Sequence, residues 1–257
     1  MITLTSSDAA VVVDPAAGGR VASIEVYGRE LLVGREFSDD PLAWGCYPMV
    51  PFAGRIDHGL IEFEGSRFEL PTTMGHHAIH GYGFVNEWTP VGTAEIEWLF
   101  SDPWPWLGQV TQRFSLGETA LVMEMEVIAG ERQPVSFGWH PWFSRVTEPD
   151  DDVTLEFDAA DMYELDDEIP TGRMIDPDPG PWDNCFTGVA AAPILRWPDL
   201  ELELTASTDH WVVYSQPEHA ICVEPQTGPP NDVNFAPLIL EAGESKAMTF
   251  TLTWRRI

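Results

Sequence analysis

The chain has almost no lysine. Lys246 is the only one, and 13 basic residues stand against 42 acidic ones, for a formal net charge of −29. Such a field repels phosphate backbones and anionic lipid, so neither nucleic acid nor a membrane surface is expected as a partner. It also disfavours a highly anionic substrate unless arginines gather locally. A strongly charged surface opposes aggregation, which is the simplest reading of the excess; a salt-rich cytoplasm is the other. Cysteine is scarce as well. Cys46, Cys185 and Cys222 are odd in number, widely spaced and without a Cys-x-x-Cys pattern, which leaves little support for a zinc ribbon or a redox pair. A chain of 257 residues buries enough surface to do without disulfide staples. No apolar run is long enough to span a bilayer. The start, Met1 to Ser6, lacks the basic segment and apolar stretch of a secretory signal. A reducing, cytoplasmic setting is the expectation.

Helical periodicity is missing too: no amphipathic helix of ten or more residues stands out. The period is two. Leu121 to Val127 sets Leu121, Met123, Met125 and Val127 on one face and glutamates on the other, and Leu200 to Thr205 and Met248 to Trp254 alternate likewise. Leu60 to Leu70 reads as a hairpin turning at Glu64-Gly65-Ser66. The 22 prolines and 21 glycines punctuate the strands throughout, as a many-stranded sandwich requires. The expectation is an all-β fold, a single domain over residues 1–257. The acidic, proline-rich run from Glu164 to Pro181 reads as a long surface loop, and loops of that length are often functional lids.

Five segments carry candidate chemistry. In Pro48 to Ile56, prolines and glycine frame Arg55 in apolar surroundings, where its charge needs a carboxylate, carbonyls or a polar ligand. In Gly75 to Phe84, three histidines fall within five residues. A metal site is one reading of His76, His77 and His80, but no acidic or thiolate ligand lies inside the run. In the other reading, glycines bring the backbone close to a ligand and His80 offers an imidazole. In Ser136 to Phe143, His140 lies among indoles, where burial lowers its pKa and a nearby carboxylate would raise it. In Pro181 to Phe186, Asp183 is either a turn residue or an acceptor for hydroxyls, with the Trp182 indole beside it. In Ile221 to Asp232, Glu224 sits among Val, Cys and Pro, where a carboxylate is costly unless it is used.

Taken together and in this order, the segments resemble the aldose 1-epimerase (galactose mutarotase) family, over nearly the whole chain. The departure is Gly54, where the family commonly has Asn. The resemblance implies an antiparallel β-supersandwich of the galactose mutarotase type. It implies interconversion of the α and β anomers of a free aldohexose, with Glu224 as base, His140 as acid and His80 supporting them. Arg55 and Asp183 would bind sugar hydroxyls, and His77 would line the same pocket. No metal or cofactor is called for, because no electron or group leaves the sugar. The alternatives are a non-catalytic carbohydrate-binding protein of the same fold and a hexose-6-phosphate 1-epimerase. The latter needs a cationic rim, to which Arg145 or Arg173 would contribute. The preferred aldose and the oligomeric state are left open.

Overall fold

The computed structural model describes residues 1–148 and 151–257. Nearly all regular structure is β, and every ladder between its strands is antiparallel. One sheet has twelve strands and a second has eight. Among the described residues the sole α-helix is the single turn Asp232–Phe235.

The strands foreseen from alternation are present and longer than their motifs. Ala120–Ala129 alternates buried and half-buried residues along its length and lies between Gly108–Leu116 and Ser245–Arg256 in the eight-stranded sheet. Leu200–Ala206 adds to the other edge of Ser245–Arg256. Its alternation is broken at Glu201, which is buried because Arg196 and Arg255 both pair with it. The hairpin at residues 60–69 pairs Ile61 with Phe68 and Phe63 with Ser66.

One apolar cluster joins the inner faces of the two large sheets, with residues drawn from Ala9 through Trp254. We read the chain as one domain on that basis. Trp139 shows how the layers lock together. Its ring packs 5.9 Å from Phe250, and its indole N–H donates to Gln112 Oε1 at 2.9 Å across the sandwich. A buried indole needs that partner, and the Gln112 side chain in turn donates to the Gly19 carbonyl.

The acidic run after Glu164 departs from the loop expectation. Ala159–Asp166 and Ile169–Ile175 form a hairpin at the edge of the twelve-stranded sheet, turning at Asp167 and Glu168. Its carboxylates, Pro170 and Gly172 all weigh against strand in local propensity. Tertiary packing overrides that: Met162 is buried against Phe186 and Val213 on the adjoining strands.

Candidate active site

The site is built on one row of the twelve-stranded sheet. Cys46–Met49, Gly138–Pro141, Ala220–Gln226, His210–Tyr214 and Asp183–Val189 are consecutive neighbours there. Tyr47 pairs with His140, and Gly138 pairs with Gln226, a register that carries His140 alongside Glu224. Glu224 pairs with Val212, which pairs with Cys185. Two residues along, Cys222, Tyr214 and Asp183 form a parallel row. Because side chains alternate, these residues all face away from the core that holds Trp139 and Val223. Tyr47, His140, Glu224, Val212, Cys185, Tyr214 and Asp183 floor a cavity of about 280 Å³ whose wall includes Arg55, His80, Trp142, Glu168 and Gln226. That volume lies near the lower end of small-ligand sites, roughly 300–1,000 Å³.

At its centre His140 Nε2 lies 3.2 Å from Glu224 Oε1, with the side chains 6 % and 2 % exposed. Glu224 Oε2 accepts from Gln226 Nε2 at 3.2 Å. Tyr47 and Trp142 both stack on the His140 ring, with centroids 4.8 and 5.3 Å away. His80 meets it edge-on at 5.1 Å. Burial, then the Asp183 charge, pushes the Glu224 carboxyl well above the usual carboxylate range. Burial lowers His140 to about 3, and burial together with His140 and Arg55 holds His80 well below the usual imidazole range. The empty pair therefore favours an arrangement with one proton shared between carboxyl and imidazole. The His80 and His140 Nδ1 atoms, the Tyr47 hydroxyl and the Trp142 indole nitrogen are buried with no hydrogen-bond partner among the described residues. Such groups are costly to bury unless a ligand meets them.

Arg55 reaches Glu168 at 3.4 Å and Asp183 at 3.5 Å, and it also lines the cavity. It is placed by a short ladder in which Arg55 pairs with Ile79. His80 follows with φ 59° and donates its backbone N–H to the Gly54 carbonyl. Gly81 is required next: at φ 69° a Cβ there would lie 2.2 Å from the Val50 carbonyl oxygen. Gly54, where the family commonly has Asn, has no room for a side chain, since its Cβ would meet Pro230 at 2.6 Å.

Five of the six residues singled out from sequence, Arg55, His80, His140, Asp183 and Glu224, line the one cavity. His77 does not. It sits in the bend before Ala78–Ile79, and its ring turns the other way, towards Asp57 and His58. Trp182 is also elsewhere: its indole N–H bonds to Asp178 and its ring packs on Phe157 and Phe186. Trp142 supplies the indole of the cavity instead. Arg145 and Arg173 do not line it either. Arg145 donates to the Ser215 and Pro217 carbonyls, and Arg173 pairs with Glu164. Sequence reasoning missed Tyr47, Gln226, Tyr214 and Glu168. Tyr47 lies one residue before the proline segment of Arg55, and Gln226 lies inside the segment of Glu224; each stands at strand spacing from a site residue across or along the sheet.

The chain belongs to the aldose 1-epimerase family, whose model matches residues 1–253. Its fold is that of galactose mutarotase-like proteins. It superposes with a TM-score of 0.86 on a galactose mutarotase-like protein from Clostridium acetobutylicum, at 16 % identity over 99 % of this chain and 95 % of that one. A proposed aldose 1-epimerase from Escherichia coli K12 is similar at TM-score 0.84 and 19 % identity, covering 100 % of this chain and 99 % of that one. Galactose 1-epimerase from Lactobacillus acidophilus matches at TM-score 0.82 and 16 % identity, over 99 % and 93 % of the two chains. In sequence, the Escherichia coli protein YphB is 28 % identical over 107 residues, a match that spans 38 % of this chain and 36 % of that relative's length. No helix in the described residues is long and apolar enough to cross a membrane.

Proposed function

We propose that the protein is an aldose 1-epimerase acting on a neutral aldohexose, with Glu224 and His140 as its proton-transfer pair. The observation that carries this reading is the 3.2 Å contact between a buried carboxyl and a buried imidazole on the floor of a sugar-sized cavity. The reaction makes and breaks protons at the anomeric hydroxyl and the ring oxygen, which share one carbon. Acid and base must therefore stand close together, within reach of both oxygens.

Glu224 as carboxylate takes the proton of the C1 hydroxyl. The C1–O1 bond becomes a carbonyl, the bond from C1 to the ring oxygen breaks, and His140 Nε2 gives that oxygen its proton. The open aldehyde rotates about C1–C2. Closure on the other face returns one proton from Glu224 and one to His140. The ion pair this requires forms by moving the shared proton across a 3.2 Å hydrogen bond, and the Arg55 charge favours the carboxylate. Arg55, Asp183 and Glu168 would hold hydroxyls, and His80 would steady the ring oxygen beside His140.

The charge of the wall supports a neutral sugar over a phosphorylated one. Asp40, Glu168 and Asp183 face it against Arg55 alone, and like charges at close range penalise a phosphate strongly. The test is polarimetry of freshly dissolved α-D-glucose and α-D-galactose with and without the protein, extended to a panel of hexoses and their 6-phosphates. Faster approach to anomeric equilibrium with at least one free hexose supports the reading. Saturable sugar binding with exchange at the buffer rate across the panel would leave a binding protein.

A further inference from the structure

The histidine run of residues 76–80 does not act as one group. His80 turns into the catalytic cavity, and a histidine distant in sequence takes its place beside the other two. His58, His76 and His77 each bring a ring nitrogen within 4.8 Å of the others. Their ring centroids are 4.0 Å apart for His76 and His77 and 4.7 Å for His58 and His76. The acidic groups missing from the run arrive from elsewhere in the fold. Asp57 Oδ1 lies 2.6 Å from His58 Nδ1 and 3.4 Å from His77 Nδ1. Asp167 Oδ2 lies 2.8 Å from His76 Nε2.

We propose that His58, His76 and His77, with Asp167 as an oxygen ligand, form a binding site for a divalent first-row transition ion such as zinc. The chemistry of the donors selects that class. Imidazoles with a carboxylate suit zinc, cobalt, nickel or copper, whereas calcium and magnesium take oxygen ligands. Asp57 stands where a metal site needs its supporting carboxylate. By accepting from the His58 Nδ1–H at 2.6 Å it fixes the tautomer that leaves the His58 Nε2 free for the ion. His77 is the buried anchor, 1 % exposed, and its Nε2 has no hydrogen-bond partner among the described residues. Its Nδ1 also lies 3.2 Å from the His58 backbone N–H, an acceptor role that the ring gives up to Asp57 when Nε2 is metallated. Asp57 and Asp167 offset the two positive charges.

The ion has a structural consequence. Asp167 is at the tip of the hairpin whose Leu165 and Glu168 line the cavity, and Met74, from the other side of the cluster, lines it too. Metal at this point fastens the hairpin to the segment that leads into His80, and so holds Glu168 near Arg55. It is not placed to touch the reacting atoms of a sugar bound on Glu224 and His140.

Untagged, chelator-stripped full-length protein is titrated with Zn²⁺ by calorimetry and with Co²⁺ by visible spectroscopy. One saturable equivalent is expected, with cobalt ligand-field bands and no thiolate charge-transfer band. His58→Ala and His76→Ala, both at exposed positions and checked for fold by circular dichroism, should each weaken zinc binding at least tenfold. Asp57→Asn should weaken it about 10–100-fold, the usual cost of losing a supporting carboxylate. Zinc should raise the melting temperature of the wild type but not of His76→Ala. Mutarotation by the stripped protein is measured alongside and should persist. Absence of saturable binding, or binding unchanged in both histidine variants, would overturn the assignment. So would a thiolate band lost in Cys222→Ser, since that places the ion on the other cluster of donors, His140, Cys222 and Glu224.

Discussion

Replacing Glu224 by Gln would remove the proposed base and leave the shape of the site. The side chain is buried and fixed by two contacts, Gln226 Nε2 on Oε2 and His140 Nε2 on Oε1, each at 3.2 Å. A glutamine can satisfy both. Its carbonyl accepts from Gln226, and its amide N–H donates to His140, whose ring is neutral because burial holds its pKa down at about 3. Folding should therefore survive, and a buried carboxyl with a raised pKa is no loss to stability. The amide cannot accept a proton from the C1 hydroxyl. Losing one positioned proton-transfer partner costs about 10²–10⁴-fold in rate, roughly 3–5 kcal/mol at 1.36 kcal/mol per tenfold. Binding should suffer less. The variant exchanges a charge-assisted hydrogen bond, worth about 1.5–3 kcal/mol, for a neutral one worth about 1 kcal/mol, so affinity falls by about 2–30-fold. His140→Asn should lose a similar factor in rate. The double variant should lose much less than the product of the two, because acid and base serve one step. The assay is the first-order rate of anomer exchange by polarimetry, with sugar affinity from calorimetry. Near-wild-type turnover in folded Glu224→Gln would refute the assignment and return the carboxylate to a structural role.

Three further outcomes are expected. Arg55→Ala removes the cation between Glu168 and Asp183 and should lower affinity and rate together, by about 10–150-fold in kcat/KM for one charged hydrogen bond of about 1.5–3 kcal/mol; a change in KM alone would show that Arg55 only binds. The pH profile follows from the coupled pair: Glu224 is raised and His140 is lowered from 6.5 to about 3. The second proton therefore enters only well below the usual imidazole range, and the shared one leaves only well above the usual carboxylate range. kcat/KM should show no acid limb centred at about pH 6.5, the ordinary imidazole value, and such a limb would contradict the buried pair. Asp232 lies outside the cavity lining, and burial raises its carboxyl from 3.8 to about 8. Between those values the folded state holds a proton that the unfolded state has released, so stability should fall as pH rises towards 8. Asp232→Asn should flatten that slope in thermal melts over about pH 5–8; an unchanged slope would show that the carboxyl ionises normally.

Much of this protein is local information. Alternation with period two marks Leu121 to Val127, Leu200 to Thr205 and Met248 to Trp254, which lie inside the strands Ala120–Ala129, Leu200–Ala206 and Ser245–Arg256, because a half-buried strand shows its two faces to different solvents. His80, His140 and Glu224 are legible because polar residues set among Gly, Pro and Trp must be used or satisfied. Other features were decided by the assembled fold. The acidic hairpin at residues 159–175 has the composition of a loop, and neighbouring strands that bury Met162 make it a strand pair. Tyr47 and Gln226 enter the site through the cross-strand register, which local sequence does not encode. The histidine run was divided by the fold: His80, at positive φ, faces the cavity, while His77 turns to Asp57 and His58. Residue types and their order are enough to mark chemistry and period. Which groups meet depends on pairings between distant strands, whose energy lies in burial and register that no short segment contains.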